Sequence, residues 1–311
     1  MKLLNLIERE ITTGLRFPEG PIAMADGSVL VVEIEGGRLI RVLPDGTKQT
    51  AAELGGGPNG AALGPDGKCY VCNNGGFNWV YEETGYVRPH GRAHAYTGGS
   101  IQRVDLATGA VEVLYTHCGD VPIMGPNDIV FDDDGGFWFT DHGKSYDRLM
   151  DRGAVFYARM DGSFITEAAF PLITPNGVGL SPDGKTLYAS ETETGRLWSW
   201  PIVGPGEVAK EAWPSPSGGH FVGGPQGYQR FDSLAVEANG NICVASLVYG
   251  GISVFAPEGG LIEFWKAPER YCTNICFGGP DLRTAFVTLS GYGRLIALDW
   301  PRPGLPLVHQ R

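Results

Sequence analysis

One structural unit recurs along this chain, and its recurrence constrains the fold more than any other feature. The clearest copy runs from Thr174 to Trp200 (TPNGVGLSPDGKTLYASETETGRLWSW). In it, Asn176 heads a short apolar run, Pro182 to Gly184 has the composition of a hairpin turn, and two further strand-like segments follow. Such units cannot bury both of their faces alone. Short strands and glycine turns at a regular spacing are therefore typical of a β-propeller.

Six copies of the unit can be aligned, and they are spaced about 40 to 70 residues apart. They begin at Pro18, Pro58, Pro126, Thr174, Phe231 and Cys272. We therefore predict an all-β, six-bladed propeller that forms a single domain over residues 1–311. The run from Leu4 to Thr12 is strand-like but has no turn partner, and the last copy has only three clear strands. We expect this N-terminal strand to complete the last blade and close the ring.

Composition excludes several classes of protein. The chain contains 47 Gly and 22 Pro, yet its hydrophobic content of 42% is spread evenly and predicts a compact fold. A net charge of −11 without any basic cluster argues against a nucleic-acid partner. No apolar run approaches the length of about 18 residues that spans a bilayer, and the first residues do not resemble a signal peptide. We expect a cytoplasmic monomer or small homo-oligomer without a membrane partner.

The cysteines and one aromatic cluster are interpreted as core. Cys69 and Cys72 have CxxC spacing, but they lie in an alternating strand where residues three apart face opposite sides. Buried, reduced thiols are favoured over a metal or redox site. The run from Phe137 to Phe139 is likewise interpreted as a buried strand.

Two long segments interrupt the repeat. The insertion from Phe77 to Gly99 is rich in aromatic residues and lacks strand periodicity, so we expect a loop that overhangs a pocket, with a plain surface excursion as the alternative. His90 and His94 within it have the spacing of helical metal ligands, but the neighbouring Pro and Gly make a helix and a metal site less favoured. The segment from Pro201 to Arg230 is expected to form an outer strand and then a second long loop. The tail after Trp300 is expected to be irregular.

The residue at the head of the first strand in each copy is the main indication of function. The first strand of a propeller blade is the innermost, so residues that head these strands converge on the central channel. We call these residues the column: Glu19, Asn59, Asn127, Asn176, Asp232 and Thr273.

Four column residues offer oxygen atoms to a cation. Glu19, Asn127, Asn176 and Asp232 supply two carboxylates and two amides, and Asn59 is a further contact through water. This set suits Ca²⁺, with Mg²⁺, Mn²⁺ or Fe²⁺ as alternatives, and it disfavours zinc because it has no His or Cys. The competing interpretation is that each Asn caps a turn, since Pro-Asn-Gly is common in turns.

The chain resembles the senescence-marker-protein/gluconolactonase/luciferin-regenerating-enzyme (SMP-30/LRE-like) family of six-bladed propellers over nearly its whole length. The matching motifs are PEGP around Glu19, GPND around Asn127, TPNGVGLSPDGKTLY around Asn176, FDSLAVEANGNICVA around Asp232 and TNICFGGPDLRTAFVT near the end. The resemblance implies that the first four of these residues bind one catalytic divalent cation in the central channel and that the substrate is a lactone. Where the family has Pro-Asp-Gly, this chain has Arg-Phe-Asp-Ser, which keeps the aspartate. Related propellers cleave organophosphates, so the fold alone does not fix the substrate.

The expected chemistry is lactone hydrolysis. A cation at the column would polarise the carbonyl, and an activated water would attack it. Asp232 is the candidate base for that water. Asp128 and His142 are further catalytic candidates, although a surface role for His142 is equally open, and Asn59 and Asp141 are candidates for substrate contact. The alternatives are a phosphotriester or aryl-ester hydrolase on the same site, a binding propeller with a structural calcium, and a repeat scaffold that recruits proteins.

Overall fold

Six large sheets surround a common centre. The computed structural model describes residues 1–225 and 227–310. Each inner strand contacts the inner strands of both neighbouring sheets, and the inner strand of the sixth sheet contacts that of the first. Apart from a 3₁₀ turn at Val308–Gln310, the regular secondary structure of the described residues consists of strands. The predicted all-β, six-bladed propeller is confirmed.

The first three sheets each have four antiparallel strands, and the chain runs from the inner strand outwards. The first sheet comprises Pro18–Ala23, Val29–Glu33, Arg38–Val42 and Lys48–Glu53. The second comprises Pro58–Leu63, Cys69–Asn73, Ser100–Val104 and Val111–Tyr115. The third comprises Pro126–Phe131, Gly136–Asp141, Gly153–Arg159 and Ile165–Leu172. Two short hairpins flank the third sheet, His117–Cys118 with Val121–Pro122 and Ser145–Tyr146 with Leu149–Met150.

The last three sheets each gain a strand from a distant segment. The fourth comprises Pro175–Leu180, Thr186–Glu191 and Arg196–Gly204, with Glu207–Val208 and His220–Gly223 both paired to the third strand. The fifth comprises Phe231–Val236, Ile242–Ser246, Gly251–Phe255, Leu261–Lys266 and, in parallel, Lys2–Leu4. The sixth comprises Cys272–Gly278, Thr284–Leu289, Arg294–Asp299 and Glu8–Thr12.

The N-terminal run is divided between two sheets. Lys2–Leu4 pairs with the fifth sheet, whereas Glu8–Thr12 pairs antiparallel with Arg294–Asp299 as the outermost strand of the sixth. The predicted single strand from Leu4 to Thr12 is therefore wrong in its bounds. The chain bends between the two segments because they pair with different, neighbouring sheets.

The hydrophobic core consists of six apolar clusters, one at each junction between adjacent sheets. Second strands contribute to two junctions at once. In the first sheet, Val29 and Val31 pack against the sixth sheet, and Leu30 and Val32 pack against the second. Because both faces of such a strand are buried, its sequence is a continuous apolar run.

The cysteines and the aromatic run lie in these junctions as predicted. Cys69 packs between the first and second sheets and Cys72 between the second and third, and both are free and fully buried. Phe137 and Phe139 face one junction, while Trp138 faces the next.

The structure corrects the interpretation of both long segments. The insertion after residue 76 is not a structureless loop, because Phe77–Tyr81 and Val87–Arg92 form an antiparallel hairpin. The outer strand of the fourth sheet, His220–Gly223, follows the irregular segment of residues 209–219 rather than preceding it. Residue 226, within the long segment from Pro201 to Arg230, lies outside the described residues. Among residues 1–225 and 227–310, no helix has the length and apolar character needed to cross a membrane.

Candidate functional site

The six column residues occupy the second position of the six inner strands. Five of them are buried and Asp232 is partly buried. Near the start of every inner strand the pairing register with the second strand shifts. Such shifts re-aim side chains at the ends of strands. Together with the contacts among inner strands, they place the column residues around one end of the channel.

The Pro-Asn-Gly segments are parts of strands, so the interpretation of their asparagines as turn caps is wrong. Their glycines allow adjacent inner strands to approach closely. A Cβ atom at Gly60 would lie 2.3 Å from the carbonyl oxygen of Asn127, and one at Gly177 would lie 2.5 Å from the backbone nitrogen of Leu234. Glycine at this position is therefore a packing requirement of the narrow channel.

Two buried acceptors of the column have no hydrogen-bond partner among the described residues: Glu19 Oε1 and Asn127 Oδ1. The other oxygen of Glu19 accepts bonds from Gly20 N and from Asn274 Nδ2, both at 2.6 Å. A buried acceptor without a partner is destabilising, so native structures rarely contain one without a functional reason.

The amide of Asn176 is oriented by neighbouring hydroxyl groups. Its Nδ2 donates to Thr192 Oγ1 at 3.0 Å, and its Oδ1 accepts from Ser233 Oγ at 3.3 Å.

Negative charge accumulates at this end of the channel. Burial raises the pKa of Glu19 to about 8, with a further contribution from the Asp128 carboxylate. Burial and the Glu19 charge raise the pKa of Asp232 well above its ordinary value, and Arg230 partly opposes this rise. A nearby cation would stabilise the ionised forms of these desolvated carboxylates.

Asp128 lies one residue further along the channel than Asn127. Its carboxylate accepts hydrogen bonds from Ile129 N at 3.0 Å and from Val178 N at 3.3 Å. Burial raises its pKa to about 7. Asp128 also lines a cavity of about 240 Å³ that continues along the channel towards Leu307 in the C-terminal tail. It therefore lies between the column and the far half of the channel.

Asp141 and His142 leave the second strand of the third sheet beside the column. Asp141 is buried, and its carboxylate accepts backbone hydrogen bonds from Met124 and Gly125 at 2.7 Å and from Gly143 at 2.9 Å. These bonds fix the loop that leads into the inner strand of the third sheet. Burial and the charge of Lys144 lower the pKa of His142 to about 4, so its imidazole is neutral at pH 7.

Lys144 is a buried residue at this site that the sequence did not indicate. Its Nζ donates to Asn74 Oδ1 and to Gly76 O, both at 3.1 Å, and lies 4.2 Å from the centre of the Phe77 ring. Burial lowers its pKa to about 7. It comes from the third sheet and supports the base of the hairpin, a long-range contact for which the local sequence has no signal.

The hairpin formed by Phe77–Tyr81 and Val87–Arg92 lies beside the column. The ring centre of Trp79 is 5.0 Å from that of Phe17, which lies two residues before Glu19. Tyr86 stacks on Tyr271, which lies two residues before Thr273, at 5.5 Å between ring centres. The hairpin thus leaves the second blade and reaches the first and sixth blades at the end of the channel that carries the column.

Within the described part of the chain, no three His, Cys, Asp or Glu side chains come together as a metal-binding group. Any cation at the column would depend on two carboxylates supplemented by amide oxygens. The donor chemistry fits a hard cation, and the two acceptors without partners fit it as well. His90 and His94 are both exposed on the hairpin and its C-terminal continuation.

Comparison with known proteins agrees with this architecture. Residues 17–291 match the family described as the SMP-30/Gluconolactonase/LRE-like region. The chain belongs to this family. The matched range contains all six column residues, from Glu19 to Thr273, so the predicted family membership is confirmed.

The proteins that this chain resembles differ in the chemistry that their names describe. Lactonase drp35 from Staphylococcus saprophyticus is 30% identical over 255 residues, which span 81% of this chain and 70% of that protein. Diisopropyl-fluorophosphatase from Loligo vulgaris is 30% identical over 196 residues, or 58% of this chain and 59% of the relative. The structure of a gluconolactonase from Xanthomonas campestris has a TM-score of 0.73 at 23% identity and covers 95% of this chain and 90% of its own.

Proposed function

We propose that this SMP-30/gluconolactonase-like protein is a lactonase that depends on a divalent cation. The observation that carries the proposal is the set of buried oxygen ligands at the column, in which Glu19 Oε1 and Asn127 Oδ1 have no partner. A propeller that served only as a scaffold would gain stability by pairing or replacing these groups. The lactonase relative supports the choice of substrate class.

Glu19, Asn127, Asn176 and Asp232 would hold the cation. Two carboxylates and two amide oxygens favour Ca²⁺, with Mg²⁺, Mn²⁺ and Fe²⁺ as alternatives to be compared. When bound, the ion supplies Lewis-acid polarisation of the lactone carbonyl. The bonds from Gly20 N and Asn274 Nδ2 hold one oxygen of Glu19 and leave the other free to serve as a ligand.

Asp232 is assigned as the base. It takes a proton from the attacking water, whose oxygen forms a bond to the carbonyl carbon. The bond between that carbon and the ring oxygen then breaks, and the proton returns to the departing alkoxide. The products are a hydroxy acid and the regenerated carboxylate of Asp232.

The remaining predicted residues receive supporting roles. Neutral His142 can accept a hydrogen bond at pH 7, and Asp128, with a pKa of about 7, can exchange a proton. Asn59 remains the candidate for substrate contact. For Asp141, the three backbone hydrogen bonds favour positioning of the loop over substrate contact.

A phosphotriester hydrolase is the second candidate function. The observation that favours it is the 30% identity to diisopropyl-fluorophosphatase. The same oxygen ligands could serve either reaction, because a cation can polarise a phosphoryl oxygen as well as a carbonyl oxygen.

A screen of hydrolysis against added metals tests the proposal. Protein stripped with a chelator is assayed with Ca²⁺, Mg²⁺, Mn²⁺ and Fe²⁺ on aldonolactones, aliphatic lactones, aryl esters and phosphotriesters. Calorimetric titration with Ca²⁺ should show one site in the parental protein and much weaker binding in Glu19→Gln. A protein that binds no divalent cation, or hydrolyses lactones equally well without one, would overturn the proposal.

We also infer that the antiparallel pairing of Glu8–Thr12 with the sixth sheet closes the ring of blades. A cytoplasmic location and a monomeric or small homo-oligomeric state stay predictions.

A further inference from the structure

A groove opens beside the column, between the Phe77–Arg92 hairpin and the loops that lead into the fifth and sixth inner strands. Its volume of about 610 Å³ lies within the range of about 300–1,000 Å³ that is usual for small-molecule sites. Tyr271 and Arg230 line it, and they lie two residues before the column residues Thr273 and Asp232. The groove therefore adjoins the proposed reaction site on the side of the fifth and sixth blades.

Aromatic rings form the walls of this groove: Tyr86, Tyr228, Tyr271 and Tyr292. Tyr86 stacks on Tyr271 with 26° between their planes and meets the edge of Tyr292 at 4.9 Å. The hydroxyl of Tyr86 accepts the backbone N–H of Tyr271 at 2.9 Å, and Val87 N donates to Gly291 O at 2.9 Å. These bonds hold the hairpin wall in place, so the groove is formed before any ligand binds.

Some polar groups of the groove lining have partners. Arg88 pairs with Glu82 at 3.2 Å, Arg230 pairs with Glu193, and Glu269 Oε1 accepts from Tyr292 N at 3.2 Å. Arg230 Nε and Glu269 Oε2 are buried and have no hydrogen-bond partner among the described residues. The surface that the groove presents to a ligand therefore consists largely of tyrosine rings, with charged side chains around them.

We propose that this groove holds an aromatic substituent of the lactone, so that the enzyme acts on aryl-substituted lactones in preference to lactones without an aryl group. The inference rests on the proposed lactonase function of the column. With the lactone carbonyl at the column, a flat substituent on the lactone ring packs against the tyrosine faces.

The test compares three substrates at saturating cation: γ-butyrolactone, γ-phenyl-γ-butyrolactone and glucono-1,5-lactone. We expect kcat/KM for the phenyl lactone to exceed that of either other lactone by at least about tenfold. In Tyr292→Ala and Tyr271→Leu the ratio of phenyl to unsubstituted lactone should fall about threefold to tenfold. Tyr81→Ala is the matched control, since Tyr81 lies on the same hairpin but not in the groove, and it should leave the ratio unchanged. No preference in the parental protein, or an unchanged ratio in both groove variants, overturns the inference.

A binding measurement separates failure of the groove from failure of the lactonase proposal. If no lactone is hydrolysed at any cation concentration, the lactonase proposal fails, and the groove is then tested with two lactams that cannot turn over rapidly. We expect 5-phenylpyrrolidin-2-one to bind at least about tenfold more tightly than pyrrolidin-2-one, and Tyr292→Ala to remove most of this difference. Equal affinities for the two lactams would by themselves overturn the proposal that the groove binds an aromatic substituent.

Discussion

Two buried glutamates at opposite ends of the blades show what distinguishes a structural carboxylate from a site carboxylate. Glu237, in the turn region of the fifth blade, accepts bonds from Trp300 Nε1 at 2.7 Å and Asn241 Nδ2 at 2.8 Å and pairs with Arg302 at 2.5 Å. Glu19 is also buried, but among the described residues it forms no ion pair with a cationic side chain, and one of its oxygens has no partner. The fold satisfies the first carboxylate, and we interpret the incomplete pairing of the second as a position for a ligand.

The same contrast appears in the surroundings of the two residues. Glu237 fixes the C-terminal tail through Trp300 and Arg302, and Arg302 also pairs with Glu263 at 2.5 Å. Glu19 is surrounded by other acids, since Asp128 contributes to its raised pKa and Glu19 in turn raises the pKa of Asp232. Arginine balances the charge of Glu237, whereas the acids near Glu19 raise one another's pKa values, as expected if the column binds a cation.

Removal of the cation should have the largest effect on activity. Chelation is expected to lower lactone hydrolysis by at least about 100-fold, and excess Ca²⁺ should restore it, because the polarising charge would be lost. The blades should remain folded, since their six apolar junctions do not involve the column. Hydrolysis and heating curves recorded with and without chelator check both parts. A chelated protein that unfolds at room temperature would indicate a structural ion instead.

Asp232→Asn should have the next largest effect. The amide keeps an oxygen ligand of similar size but removes the charge and the base, so kcat is expected to fall about 10²- to 10⁴-fold. The measurement must be made at saturating cation, with occupancy shown by calorimetry, because a weakened metal site would imitate a lost base. If the loaded variant turns over near the parental rate, Asp232 is only a ligand and the base must be sought among Asp128, Asp141 and His142.

Glu237→Ala tests the buried glutamate whose carboxylate is fully paired. Loss of this buried partner should lower the free energy of unfolding by about 3 kcal/mol, because Trp300 and Asn241 lose their acceptor and Arg302 loses one of its two. Urea unfolding measures the change, and Glu53→Ala on the exposed outer strand of the first sheet serves as the control. Turnover at saturating cation should stay within about twofold of the parental value. A stability close to the parental one would show that the tail does not depend on Glu237.

Stability should fall with rising pH in the protein without the cation but not in the protein with it. In the protein without cation, the pKa of Glu19 is raised from 4.5 to about 8, so the folded state holds a proton that the unfolded state releases. Stability should therefore fall as pH rises from about 4.5 to 8. A bound cation keeps the carboxylates ionised and should remove this decline. Tm measured between pH 5 and 9 in chelator and in Ca²⁺ tests this, and superimposable curves would contradict it.

The sequence predicted the column because a repeat converts position along the chain into position in space. Because Asn176 and Asp232 occupy the same place in two copies, the propeller geometry brings them to the same end of the channel. Prediction from the sequence failed where contacts are long-range. Local pattern could not show that His220–Gly223 returns to pair with Arg196–Gly204, or that Lys2–Leu4 pairs with the fifth sheet. The hairpin was missed because Pro89 and Gly91 interrupt its second strand, where the register also shifts.

The hydrogen-bond partners of individual side chains were even harder to predict from the sequence. Asp141 was expected to face the substrate because it ends a strand beside the column, but its partners are backbone groups of Met124, Gly125 and Gly143. Glu191 occupies the same position in the fourth sheet and accepts Ile173 N at 2.6 Å. A polar residue at the end of a second strand therefore positions the loop before the inner strand in both blades. This recurrence becomes visible only when hydrogen-bond partners are known.

Asn59→Ala should have the smallest effect. It tests whether Asn59 differs from the four proposed cation ligands of the column. Asn59 is buried at the same position of its strand as Asn127 and Asn176, yet it lies outside the four proposed ligands. Loss of a contact made through water or to substrate should lower kcat/KM by less than about tenfold, with cation affinity unchanged. Steady-state kinetics and Ca²⁺ titration of Asn59→Ala beside Asn127→Ala provide the comparison, since the second variant should lose cation affinity. If both variants lose affinity equally, the column binds its cation through five residues rather than four, and the carboxylates of Glu19 and Asp232 share the charge with three amides.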